Sequence, residues 1–197
     1  MMLYIFDMGG VLAKDFDIAP EASRLLGLPE PAFRKFAAVD MDALMTGTMS
    51  AGDWWDRFAR SSGVCPAGDL WSTLFSPTVD AAVDRVIRNL GKHGRVVCGT
   101  NTIASHYDWL MTAGRYDAFD AVYASHLMGT CKPDPAFWHG ILKAEGVRAT
   151  DAFFVDDMAE NVRAAQDIGI SSHLFTDATS LRSALESTIP GEARLET

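Results

Sequence analysis

The chain has 197 residues, a net charge of −9 at neutral pH and an isoelectric point near 4.9. That acidity excludes the basic stripe a nucleic-acid surface needs and disfavours binding to anionic membrane, but a local site can still hold a small anion. With 48% hydrophobic and 22% charged residues, the sequence can bury an ordinary globular core, as one domain with an insertion or as two small domains. No segment approaches the ~18 apolar residues of a membrane span. The N-terminal apolar run lacks a basic leader and is broken by Asp7, so it does not read as a signal peptide. Cys65, Cys98 and Cys131 show neither metal spacing nor a disulfide framework, which fits a reducing compartment. A cytoplasmic setting is expected, as a monomer or a homodimer.

Leu3-Tyr4-Ile5-Phe6 is a continuous apolar run ending in Asp7-Met8-Gly9-Gly10. It reads as a strand buried on both faces, with an acid and a glycine turn at its carboxyl end. From about residue 18 to 77 no strand pattern occurs, and three or four short helices are expected. Their signals are Leu25 and Leu26, the spacing of Phe33, Phe36, Ala37 and Met41, the cap residues Ser50 to Asp53 before Trp54, Trp55 and Phe58, and Leu70 to Phe75. The aromatics of this stretch read as core packing.

Beyond residue 78 helices and strands alternate. A helical face over Val83–Leu90 precedes a strand over Arg95–Gly99, and a helix through Tyr107 and Leu110 precedes a strand over Ala121–Ala124. Asp134-Pro135 caps a helix that stops at Gly146, a strand over Ala152–Val155 ends in Asp156-Asp157, and a helix to Gly169 leads to a last strand at Ser172–Phe175 and a last helix. Pro190 to Thr197 reads as a loose tail. Such alternation implies an α/β fold with a parallel sheet and right-handed crossovers.

In a parallel sheet all carboxyl ends lie on one edge. Asp7, Thr100-Asn101, Lys132 and Asp156-Asp157 fall at or just after four successive ends. Each alone has a plainer reading, as a helix cap or a solvated lysine; together they form a constellation. Clustered carboxylates need a counter-charge, and Mg²⁺ would take Asp7, the Gly9 carbonyl and Asp157 as ligands, with Asp156 beside it. Lys132 would hold a phosphoryl group and the attacking carboxylate, with Thr100, Asn101 and the amides after Asp7, at Met8 and Gly9, as neutral donors. An Asp can accept the phosphoryl group as an acyl phosphate that water then hydrolyses. His106 reads as a surface or capping histidine before a proton relay.

On these residues the chain resembles the haloacid dehalogenase-like hydrolases with a small helical cap. Asp7-Met8-Gly9-Gly10-Val11, Thr100, Lys132 and Asp156-Asp157 stand at the family's four motifs, and Lys132-Pro133-Asp134-Pro135 and Asn161 through Gly169 are typical of it. It looks most like bacterial glucose-1-phosphate phosphatases and the N-terminal phosphatase domain of soluble epoxide hydrolases. The resemblance implies a Rossmann-like three-layer core, residues 1–17 and 78–197, with strand order 3-2-1-4-5, and a cap at 18–77 inserted after the first strand. It implies a Mg²⁺-dependent phosphatase of a small phosphorylated metabolite, such as a sugar phosphate, with Asp7 as nucleophile. One departure stands out: the family's second Asp, two residues after the nucleophile, is Gly9. Such an enzyme would be slow on poor leaving groups, or would prefer those that need little protonation, unless water, Lys14 or Asp15 stands in as acid. The alternatives are a 2-haloacid dehalogenase, against which Asp156-Asp157 argues, and a non-catalytic binder of a phosphate ligand.

Overall fold

The computed structural model describes residues 2–188, so the tail expected over Pro190 to Thr197 lies outside them. The first strand, β1 (Leu3–Phe6), is followed by a two-residue strand, β2 (Ala13–Lys14). Five helices come next: α1 (Ala19–Leu26), α2 (Glu30–Val39), α3 (Met41–Met45), α4 (Ala51–Ser62) and α5 (Leu70–Thr73). After β3 (Thr78–Val79) come α6 (Ala81–Leu90), β4 (Arg95–Thr100), α7 (Ala104–Thr112), β5 (Ala121–Ala124), α8 (Ser125–Met128) and α9 (Pro135–Glu145). The chain goes on through β6 (Ala152–Asp156), α10 (Ala159–Asp167), β7 (Ser171–Leu174) and α11 (Ala178–Glu186).

The main sheet is parallel and ordered β5-β4-β1-β6-β7, which is 3-2-1-4-5 when only its own strands are counted in chain order. Successive side chains of a strand face opposite sides, so β1 serves two cores. Tyr4 and Phe6 join Val96, Cys98 and Val155 under α6, α7 and α11, while Leu3 and Ile5 join Val97 and Phe154 under α9 and α10. All four β1 side chains are buried, each worth about 1.5–3 kcal/mol of transfer free energy. This is a three-layer α/β core. No helix among the described residues is long and apolar enough to cross a membrane.

β2 and β3 pair antiparallel, so the chain leaves the core and returns to it side by side. Strands of two residues carry no readable alternation, and the sequence shows no trace of them. Between them lie five helices, not three or four, because Asp40, at φ −121°, ends α2 and puts Met41 into a separate helix. The expected packing role of the aromatics holds. The Phe33 ring lies 6.0–6.5 Å from those of Trp54, Trp55, Phe58 and Trp71. One carboxylate ties this segment to the core: Asp69 accepts from Trp55 Nε1 at 2.8 Å and from Ser105 Oγ, on α7, at 2.6 Å.

Candidate active site

Register places the site. Phe6 of β1 lies beside Cys98 of β4 and Val155 of β6, so the next residue along each strand, Asp7, Gly99 and Asp156, emerges in one row at the carboxyl edge. Lys132 reaches that row from the loop after α8. Its Nζ donates to Gly99 O at 3.0 Å and Asp156 Oδ2 at 2.7 Å and lies 2.9 Å from Asp7 Oδ1, with only 1% of its side chain exposed. The lysine backbone is clamped in turn. Lys132 N donates to Asn101 Oδ1 at 2.8 Å and Asn101 Nδ2 donates to Lys132 O at 2.8 Å. Asn101 is thus engaged at both ends of its amide, a holder of Lys132 where a donor to the ligand was expected. Thr100 is buried, and its hydroxyl makes only a 3.5 Å contact with Asn101 O, so it can donate elsewhere.

Asp156 is fully buried and its two oxygens accept from Lys132 Nζ, from Met158 N at 2.8 Å and from Asn161 Nδ2 at 3.0 Å. It anchors the lysine. Asp157 is exposed beside it, and one carboxylate oxygen from each of Asp7, Asp156 and Asp157 lies within 4.8 Å of the others. One ammonium cannot neutralise three carboxylates. Burial raises Asp7 to about 6; Lys132 opposes that rise and Asp156 adds to it. Asp157, though exposed at the surface, is also raised, by partial desolvation and then by Asp156. Burial works against the ammonium of Lys132, but Asp7 and Asp156 outweigh it and hold the group above the usual lysine range. An unbalanced, all-oxygen cluster of this kind suits a hard divalent cation. The Gly9 carbonyl, which accepts no hydrogen bond among the described residues, can join it.

The turn after β1 shapes this mouth. Met8 N donates to Asp7 Oδ1 at 2.7 Å and Gly10 N to Ala13 O at 2.9 Å, while the Gly9 amide has no partner among the described residues and can face a ligand. Gly10 adopts φ +76°, and a Cβ there would overlap the Asp157 carboxylate. At Gly9 a Cβ would meet only the Phe16 ring, at 3.6 Å. Neither side chain expected to stand in for the missing acid is free. Lys14 Nζ donates to Gly10 O and lies over the Phe175 ring, and Asp15 accepts from Thr78 Oγ1 at 2.7 Å. His106 is not a surface histidine. It stacks on Phe75 with centroids 3.9 Å apart, its Nε2 is buried without a partner, and burial lowers its pKa to about 4. Nothing in a lone histidine at that spacing signals burial. The contacts of Asn161, Phe16 and Gly10 are equally silent in the sequence.

The model of the haloacid dehalogenase-like hydrolases matches residues 1–169. The chain belongs to that family. Among relatives of this hydrolase is a sesquiterpene phosphatase, astK, of Aspergillus oryzae, 29% identical over 88% of this chain and 89% of its own. A HAD-like family hydrolase of Porphyromonas gingivalis superposes with a TM-score of 0.81 at 19% identity, covering 98% of this chain and 99% of that one. A HAD family enzyme of Bacteroides thetaiotaomicron, solved in complex with magnesium and inorganic phosphate, superposes with a TM-score of 0.76 at 20% identity, covering 89% and 94%. At these identities the two structures speak for the fold.

Proposed function

We propose that this hydrolase is a Mg²⁺-dependent phosphatase of a small phosphorylated metabolite, working through a covalent intermediate on Asp7. The observation that carries this reading is the ion pair of Lys132 with both Asp7 and Asp156, beside the clustered oxygens of Asp7, Asp156 and Asp157. A phosphatase relative along most of the chain and a magnesium- and phosphate-bound structural neighbour support it. Asp7, Asp157 and the Gly9 carbonyl would hold the metal, with Asp156 behind them. Bound there, the cation supplies charge to offset the carboxylates and the phosphoryl oxygens.

Lys132 keeps Asp7 ionised and aimed, and Thr100 and the Gly9 amide offer neutral donors to the phosphoryl oxygens. An Asp7 oxygen attacks phosphorus, and the bond from phosphorus to the leaving oxygen breaks. That oxygen takes a proton from solvent water, since Gly9 carries none to give. A second water then attacks phosphorus, releasing inorganic phosphate and restoring the carboxylate. Residues 18–77 act as a cap over a core of 1–17 and 78–197. The three free thiols suit a reducing cytoplasm.

The test is hydrolysis of p-nitrophenyl phosphate with Mg²⁺, by the protein as it stands and by Asp7→Asn. Turnover is expected from the first. The variant should fall by at least ~10³-fold with its circular dichroism unchanged. No product above blank from the unaltered protein would leave a binder. Activity surviving in Asp7→Asn would refute the covalent route.

A further inference from the structure

A cavity of about 510 Å³ lies between the helical segment and the core. Its walls include Phe16, Phe33, Met41 and Trp71. Phe16 also packs its ring 3.6 Å from where a Gly9 Cβ would stand, so the cavity and the turn after Asp7 share a wall. The polar groups of the lining are Asp17, Arg34, His106 and the indole N–H of Trp71. Arg34 is bound to Asp17 and, at 2.8 Å, to Glu30, so no unopposed cation faces the cavity. His106 stays neutral near pH 7. Its Nε2 and the Trp71 Nε1 are both buried without a partner, two polar atoms in a largely apolar wall.

We infer that this cavity receives the leaving group and that the leaving group is an apolar alcohol, so that the substrate is a phosphate monoester with an aliphatic or aromatic body and not a sugar phosphate. This rests on the phosphatase reading above. Desolvation decides between the two bodies. A sugar entering the cavity would strip water from several hydroxyls and find at most two unpaired partners, His106 Nε2 and Trp71 Nε1, both already buried, at ~1–3 kcal/mol for each group left unpaired. An alkyl or aryl body loses nothing polar and gains about 25 cal/mol for each Å² buried. The volume lies within the ~300–1,000 Å³ of ligand pockets, room for a body well beyond a triose or hexose ring. Such a body would run from the phosphoryl group past Phe16, over the face of Gly9 that carries no side chain.

Octyl phosphate, ethyl phosphate and glucose 6-phosphate, each with Mg²⁺ and with octyl phosphate kept monomeric, test this. The two alkyl esters share the same leaving-group chemistry and differ only in body. Octyl phosphate should exceed ethyl phosphate about 100-fold or more in kcat/KM. Ala38→Trp, which narrows the cavity from the exposed side of α2, and Met41→Glu, which charges it, should each cut that ratio at least ~10-fold. Equal rates for the two alkyl esters, or a preference for glucose 6-phosphate, with p-nitrophenyl phosphate still hydrolysed, would overturn the apolar body and spare the phosphatase. An octyl-to-ethyl ratio unmoved in both variants would overturn the assignment of this cavity. Failure to hydrolyse any of the four esters would overturn both.

Discussion

Gly9 stands where a second carboxylate would be two residues after Asp7, the proposed nucleophile, and its surroundings explain what its absence does. The backbone there is not in the left-handed region, and an added Cβ would touch only the Phe16 ring at ordinary van der Waals distance. Space for a Cβ is therefore not what keeps an acid from this position. Lys14 and Asp15 are engaged elsewhere. A leaving oxygen must then depart largely unprotonated, and turnover should depend steeply on its basicity. General acid help is worth roughly 10²–10⁴-fold where it operates. Gly9→Asp should accordingly raise kcat for ethyl phosphate, a poor leaving group, by about tenfold or more, and change p-nitrophenyl phosphate little. Steady-state rates on the two esters decide it. An equal effect on both would mean that the carboxylate acts through the metal or through packing, not as an acid.

At the scale of elements, the turn joining β1 to β2 fixes how closely two distant carboxylates approach. Gly10 lets β6 bring Asp157 against it, at a φ of +76° that an L side chain adopts at a cost of about 1–2 kcal/mol. Gly10→Ala should therefore lower stability by that order, and it should weaken Mg²⁺ binding by about 10–100-fold by displacing Asp157. Titration calorimetry with Mg²⁺ checks this, and unchanged affinity would remove Asp157 from the proposed metal site. The broad arrangement of this edge was legible in the sequence. A buried parallel strand has a continuous apolar run, and the acids, the threonine and the lysine all follow such runs. What was not legible lies in side-chain direction. Asn101 could point at a ligand or at the Lys132 backbone without altering its spacing, and Asp156 reads like Asp157 although one is buried on three donors and the other exposed. The β2–β3 ribbon escaped because two-residue strands lack a period, and the extra break at Asp40 because Met41 keeps helical spacing across it.

For the molecule as a whole, the site is a local concentration of the charge that makes the chain acidic. Three carboxylates around one ammonium leave the cluster with two surplus negative charges when all are ionised. Asp7, at about 6 when folded against 3.8 ordinarily, binds its proton more tightly in the folded than in the unfolded chain. Stability contributed by that proton is present below about pH 4 and is lost as pH rises through about 6. Metal-free protein at pH 7.5 thus carries the full penalty, on the order of 1 kcal/mol or more. Asp7→Asn keeps the shape and removes one charge, while Asp156 still pairs with Lys132. Its melting temperature at pH 7.5 in chelator should exceed that of the unaltered protein by about 2–4 °C, with the gap closing toward pH 4. Millimolar Mg²⁺ should reverse the order, because a cation that binds only the folded state stabilises most where the carboxylates are intact. Thermal denaturation with and without Mg²⁺ at the two pH values reads both effects. A variant less stable than the parent in chelator at pH 7.5 would mean that Lys132 needs both carboxylates, and that the cluster is held together by its lysine and not strained toward a metal.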